Sequence, residues 1–227
     1  MDNQTCFKPE NFKPDWIRIN IEGEVATKPI IEYLEQLDYI NKGPYNRLEY
    51  EMNDYEYNNS VFIRKFRANE TPDVHWTGTT VDIPSKSAAA FYSEMKKNKI
   101  NWKIFSNNGS NNIKLGRFDL CYTEDNFIEE PNLKEEITDW LSSSWKKVKS
   151  KDRNSQLEYR RLKGSILRIG HRKSANYFRI YEKNQTIRFE LERKYIHANW
   201  QKAFFGNNFL KFETQLFKAY NRCLKNT

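Results

Sequence analysis

In the stretch NYFRIYEKN, residues 176–184, Tyr177, Arg179, Tyr181 and Lys183 fall at every second position. A strand sends alternate side chains to opposite faces, so these four would share one side, with Phe178, Ile180 and Glu182 on the other. A helix would stack the two tyrosines and scatter the cations. The β-branched and aromatic composition favours the strand. With Asn184 and Gln185 as a two-residue turn, residues 186–193 (TIRFELER) return as a second strand, in which Tyr181 faces Arg188 and Arg179 faces Glu190. A phenol, several cations and two carboxylates then gather on one face of a hairpin.

Such a face can do phosphodiester chemistry. A free tyrosine has a pKa of about 10, and lowering it by three units takes about 4 kcal/mol of preferential stabilisation of the phenolate. Neighbouring cations or a bound metal can supply it. Arginine and lysine would hold the phosphate under attack, and a carboxylate-bound divalent ion could polarise its oxygens. Asp119, Glu190, Glu192 and Glu22 are the candidate hard-oxygen ligands for Mg2+ or Mn2+. The same spacing also describes the solvated side of amphipathic strands laced with cross-strand ion pairs.

The elements that must carry these residues are strands with one greasy and one charged face. Ile17, Ile19 and Ile21 alternate with Arg18, Asn20 and Glu22; Phe118, Leu120 and Tyr122 with Arg117, Asp119 and Cys121; Ile187, Phe189 and Leu191 with Arg188, Glu190 and Glu192. NNSVFIRKFR reads as a further strand. Four helices are expected between and after them. One has Thr27 as N-cap, Pro29 in the first turn and an Ile30, Ile31, Leu34, Leu37 stripe. A second starts at Ser85 or Ser87 and runs through Phe91, Tyr92 and Met95. A third starts at Asn132 with Glu135 three residues on and carries Trp140. The last spans roughly 209–224, with Phe209, Phe212, Leu216, Phe217 and Tyr220 on one side. FSNNGSNN and KVKSKDRNSQ read as loops. Neither strictly alternating nor segregated, this order indicates one α+β domain over 1–227: a mainly antiparallel curved sheet with helices on one face and the charged face opposite.

The 227 residues carry a formal net charge of +8, with 38 Lys and Arg against 30 Asp and Glu, which suits a polyanionic partner. Lys- and Asn-rich proteins that bind nothing charged share that balance. Cys6, Cys121 and Cys223 are odd in number and far apart, pointing to a reducing compartment rather than a disulfide framework. The sequence has neither a signal-peptide pattern nor a long apolar run, so a soluble intracellular protein is expected. No Walker-type loop or dinucleotide fingerprint is present. His75 and His197 stand alone, without companions at metal-ligand spacing.

Three blocks, GRFDLCYTEDN, GHRKSANYFRIYEK and IRFELE, resemble in order the motifs of the Rep_trans family of rolling-circle replication initiators and conjugative-element relaxases. Arg117 and Asp119 match its Arg-x-Asp strand. Gly170, Arg172 and Ser174 match its Gly-Ser-Arg-x-Ser segment, with His171 where the family has Ser. Arg179, Tyr181, Glu182 and Lys183 match the tyrosine motif, and Arg188 and Glu190 the Arg-x-Glu block. The resemblance implies a metal-dependent nickase that joins a DNA 5′ phosphate to tyrosine and frees a 3′ hydroxyl. It assigns Tyr181 as nucleophile, with Tyr177 as rival, and Asp119 and Glu190 as ligands of Mg2+ or Mn2+, with Glu192 a further candidate from the spacing alone. Arg172, Arg179 and Lys183 would hold phosphate or stabilise the phenolate, and Lys173, Arg117 and Arg188 would contact DNA. It further implies a homodimer, a recruited helicase and the bacterial cytoplasm; the composition gives an organelle such as a plastid as the alternative compartment. Family members continue past Arg-x-Glu into an origin-recognition segment, so this chain is expected to be shortened there. The competing readings are a non-catalytic DNA-binding module on the same scaffold and a basic RNA-associated protein.

Overall fold

The computed structural model describes residues 12–22, 28–36, 40–47, 50–56, 60–66, 78–98, 113–124, 156–160, 164–183, 186–194 and 196–224. Ten strands and four helices occur among them. In chain order these are β1 (Phe12–Glu22), α1 (Lys28–Gln36), β2 (Ile40–Arg47), β3 (Tyr50–Glu56), β4 (Ser60–Phe66), β5 (Gly78–Pro84), α2 (Ser85–Asn98), β6 (Ile113–Glu124), β7 (Gln156–Arg160), β8 (Gly164–Ile169), β9 (Asn176–Lys183), β10 (Thr186–Lys194), α3 (Ala198–Phe205) and α4 (Phe209–Leu224). The class is α+β with an antiparallel, curved and unclosed sheet, as the alternating segments led us to expect. The chain clusters into two compact units. One comprises Pro14–Phe118 and Tyr195–Phe209, the other Met1–Lys13, Asp119–Lys194 and Leu210–Thr227. The helix expected from Asn132, the tryptophans Trp140 and Trp145, and His75 lie outside the described residues.

In the first unit the strands hydrogen-bond in the order β2-β3-β4-β5-β1-β6. Antiparallel β1 and β5 set Ile17 against Ile83 and Ile19 against Val81. Those four are at most 5% exposed, and Ala88, Phe91, Tyr92 and Met95 of α2 are buried in the same unit. The ring of Tyr92 meets Phe118 at 5.6 Å and Phe209 at 5.5 Å, both edge-on, the favoured aromatic geometry. On the opposite side, buried Asp82 accepts hydrogen bonds from Trp16 Nε1 at 3.0 Å and from Arg18 Nε and Nη2 at 2.6 and 3.0 Å. The alternation of β6 slips by one residue here. Leu115 and Phe118 are both buried although three apart, while Lys114 reaches Glu22 and Arg117 lies over the Trp16 ring. Gly116 fits between because a Cβ there would come within 2.5 Å of the Asn20 side chain. A bulge-like step of this kind re-aims the side chains that follow it, and the next residue on the charged side is Asp119.

The second unit orders its strands β6-β10-β9-β8-β7. The greasy face is the expected one: Phe178, Ile180, Ile187, Phe189 and Leu191 are at most 5% exposed, as are Phe212, Leu216 and Tyr220 of α4. Tyr220 meets Phe178 edge-on at 5.3 Å and Phe12 at 4.6 Å, and Tyr122 meets Phe189 at 6.1 Å. This packing fixes β9 and β10 from one side and turns Arg179, Tyr181 and Glu190 to the other. No helix among the described residues is long and apolar enough to cross a membrane.

Candidate functional site

The hairpin has the register that the spacing indicates. Tyr181 pairs with Arg188, Arg179 with Glu190 and Tyr177 with Glu192 across β9 and β10, while β8 sets Ile166 beside Tyr181 and Arg168 beside Arg179. With β10 between β9 and β6, Asp119 joins the face from the second strand over. Its carboxylate is close enough to act on the charge of Arg179.

The charged face is not a solvated one. Asp119, Glu190 and Glu192 are 1–2% exposed, and Arg188 is 8% exposed. Withdrawing ions from water costs several kcal/mol each unless they are paired and hydrogen-bonded, and here they are. Glu190 Oε1 accepts from Arg179 Nη2, and its Oε2 accepts from the Tyr181 hydroxyl at 2.8 Å, with Arg188 Nε 3.9 Å from the same oxygen. Glu192 Oε1 pairs with Lys194 Nζ at 2.7 Å, and its Oε2 lies 3.8 Å from Arg179. Arg179 is thus surrounded by three carboxylates, which raise its pKa against the opposing effect of burial. Its Nε donates no hydrogen bond among the described residues.

Burial, and then the Glu190 carboxylate that accepts its proton, push the Tyr181 phenol well above the ordinary tyrosine range. Arg188 and Arg179 oppose that shift without cancelling it. The phenol is therefore protonated at neutral pH and donates to the Glu190 carboxylate. A titration consequence follows. Above pH about 10 the unfolded chain loses this proton while the folded chain keeps it. Stability held below that pH is then lost as pH rises through the folded pKa. In alkaline unfolding curves the wild type should be the more stable of the two at neutral pH, and its advantage over Tyr181→Phe should shrink as pH rises above about 10, the wild type falling faster. Parallel curves throughout would contradict the raised pKa.

The other sequence-assigned residues divide. Tyr177 is buried, 5% exposed, with the Arg179 guanidinium 5.6 Å from its ring centroid. Arg172 and Lys173 are exposed on the turn before β9. Arg117 stands with Trp16 in the first unit, 4.7 Å from the ring centroid. The side chain of Lys183 lies outside the described residues. His197 is exposed at the position just before α3, where its carbonyl accepts from the Trp200 and Gln201 amides.

The turn at 170–174 accounts for the histidine that departs from the family pattern. His171 Nδ1 accepts the Lys173 backbone N–H at 3.1 Å, the local side-chain-to-backbone bond two residues on that a serine hydroxyl can also make. The Ser174 hydroxyl lies 2.5 Å from the carbonyl oxygens of both His171 and Asn176. Gly170 opens the turn at φ 84°, where a Cβ would sit 3.1 Å from the Asn176 carbonyl oxygen. Left-handed backbone costs a non-glycine residue about 1–2 kcal/mol. Gly170→Ala should lower stability by about that much in urea titration, and an unchanged midpoint would show that the turn relaxes freely.

Two residues escaped the sequence reading. Lys194 continues the period-two series Arg188, Glu190, Glu192, and that series alone could have found it. Its Nζ ties Glu192 to the Arg172 carbonyl. Arg168 pairs in register with Arg179 from β8, a strand too short for its alternation to stand out.

Among the described residues no group of three or more His, Cys, Asp or Glu side chains is placed to hold a metal ion. The ion pairs give the reason: the oxygens of Glu190 and Glu192 face Arg179, Arg188, Lys194 and the phenol. A divalent ion would have to enter among three cations, each unit-charge pair repelling by roughly 4 kcal/mol at 4 Å and an effective dielectric of 20. As arranged, these carboxylates do not fit Mg2+ or Mn2+.

Fold and cluster together define an α+β protein whose antiparallel sheet gathers a phenol, carboxylates and guanidinium groups on one largely buried face. No family model matches the sequence, and no curated protein matches it. Among solved structures the fold is similar to the "Structure of Rolling Circle Replication Initiator Protein from Geobacillus stearothermophilus", with a TM-score of 0.50 and 12% identity over 86% of this chain and 80% of that one. At that identity the likeness establishes the fold alone.

Proposed function

We propose that this protein is a DNA nicking and joining enzyme that starts rolling-circle replication or transfer, with Tyr181 as its nucleophile. The observation that carries the reading is the Tyr181 hydroxyl on Glu190 Oε2 at 2.8 Å, inside a buried cluster of carboxylates and guanidinium groups. A strand-surface ion-pair lattice has no need to leave the water; a site that must take a proton and hold a phosphate does. The fold likeness to a protein described as a rolling-circle replication initiator supports the same substrate class.

In this mechanism Glu190 accepts the phenolic proton as the Tyr181 oxygen bonds to phosphorus. The P–O3′ bond breaks, and the departing 3′ oxygen takes up a proton, so that one proton leaves the phenol and one is restored on the new hydroxyl. The products are a 5′-phosphotyrosine and a free 3′ end. Arg179, bonded to the other oxygen of Glu190, holds the non-bridging phosphate oxygens, and Arg188, paired with Tyr181 across the hairpin, adds positive charge beside the phenol. Arg172 and Lys173, exposed on the adjoining turn, meet the DNA backbone. Incubation with supercoiled and single-stranded DNA, followed by denaturing electrophoresis, should yield a covalent complex and a nicked circle. Binding without any adduct would remove the enzymatic reading.

One observation favours a second reading, a DNA-binding module without chemistry: burial and Glu190 hold the phenol in its protonated, weakly nucleophilic form. That reading expects salt-dependent DNA binding that is the same for the wild type and Tyr181→Phe, with no adduct from either.

A further inference from the structure

The place where the family pattern calls for a divalent ion is filled by a side chain. Arg179 stands among Glu190, Glu192 and Asp119, all three of which act on its charge. It bonds one oxygen of Glu190 and lies 3.8 Å from one of Glu192. Lys194 takes the other oxygen of Glu192 and the phenol takes the other oxygen of Glu190. A metal would need those same oxygens as ligands. The side chain of Arg179 is one-quarter exposed, although its Nε is buried without a hydrogen-bond partner among the described residues. Its exposed part therefore offers a fixed positive charge on a planar guanidinium, a shape that matches phosphate.

We infer that Arg179 does the work of the metal in this chain: its guanidinium binds and polarises the phosphodiester that Tyr181 attacks, and strand cleavage needs no divalent cation. The inference rests on the nickase reading and narrows it. No oxidant, reductant or co-reactant is required, because the bond changes are those of the transesterification described above. What changes is the source of positive charge on the phosphoryl oxygens.

Two measurements on the full chain test it. The first is Mn2+ titration followed by electron paramagnetic resonance, without DNA. The free-ion signal should stay undiminished by wild-type protein at millimolar Mn2+, and Arg179→Gln, which frees the carboxylates, should bind the ion. Tight binding by the wild type would overturn the inference whether or not the variant folds. The second is adduct formation on single-stranded DNA in excess chelator and in Mn2+. Yields within a few fold of each other are expected. An adduct in Mn2+ that falls about a hundredfold or more on chelation, the scale of a Lewis acid's share of such a barrier, would overturn the inference and leave the nickase reading intact. No adduct under either condition would overturn both. Arg179→Lys keeps the charge but loses the fork, and should recover only part of the activity that Arg179→Gln loses.

Discussion

Tyr181→Phe should abolish the covalent protein–DNA complex, a loss of about a thousandfold or more, as expected when a nucleophile rather than a binding group is removed. The ring remains, so its place in register between Ile166 and Arg188 is kept. What disappears is the hydroxyl and its bond to Glu190. A hydrogen bond to a charged group contributes about 1.5–3 kcal/mol, so the variant should be somewhat less stable yet folded, with DNA affinity little changed. Tyr177→Phe is the matched control. Tyr177 is 5% exposed with Arg179 over its ring, so loss of its hydroxyl should change adduct yield by no more than a few fold. If Tyr177→Phe abolished the complex and Tyr181→Phe did not, the assignment would be reversed. Denaturing electrophoresis with end-labelled DNA reads both outcomes.

The largest stability effect is expected at Glu190. Its side chain is 3% exposed and meets Arg179 on one oxygen and Tyr181 and Arg188 on the other. Glu190→Ala would leave two guanidinium groups facing each other without the carboxylate between them. Removing one partner of a buried pair costs about 3–5 kcal/mol, because the charge left behind stays withdrawn from water. Glu190→Gln keeps the shape and part of the hydrogen bonding and should cost less, while still removing the base from the phenol. Urea midpoints measured with circular dichroism give the ordering wild type, Gln, Ala. Equal midpoints would mean that the cluster relaxes to solvent, and that its burial is not what organises the site. Both variants should lose adduct formation, and in the Gln variant that loss cannot be charged to unfolding.

Much of the sheet could be read from alternation, because a strand with one buried face writes its period into the chain. Ile17, Ile19 and Ile21, and Ile187, Phe189 and Leu191, are buried as read. The stripes of α2 and α4 were legible for the same reason at helical period. Strand β5 was not. Its Thr79, Thr80, Val81, Asp82 and Ile83 are buried on both faces, and Asp82 looks like a solvent residue until Trp16 and Arg18 are placed across from it. The hairpin of β2 and β3 and the short pair β7 and β8 also passed unread, and β8 proved to carry Arg168 and Ile166 to the site.

By itself, the sequence determined which side chains of residues 177–194 share a face. That follows from strand geometry and needs no knowledge of neighbours. Only the tertiary structure decided that Asp119 stands on the same face, through the insertion of β10 between β6 and β9. It also decided that the face is buried, and that Arg179 and Lys194 neutralise the carboxylates that a local reading gave to a metal. Burial and charge compensation are set by what lies across space, and a periodicity along one strand carries no information about either.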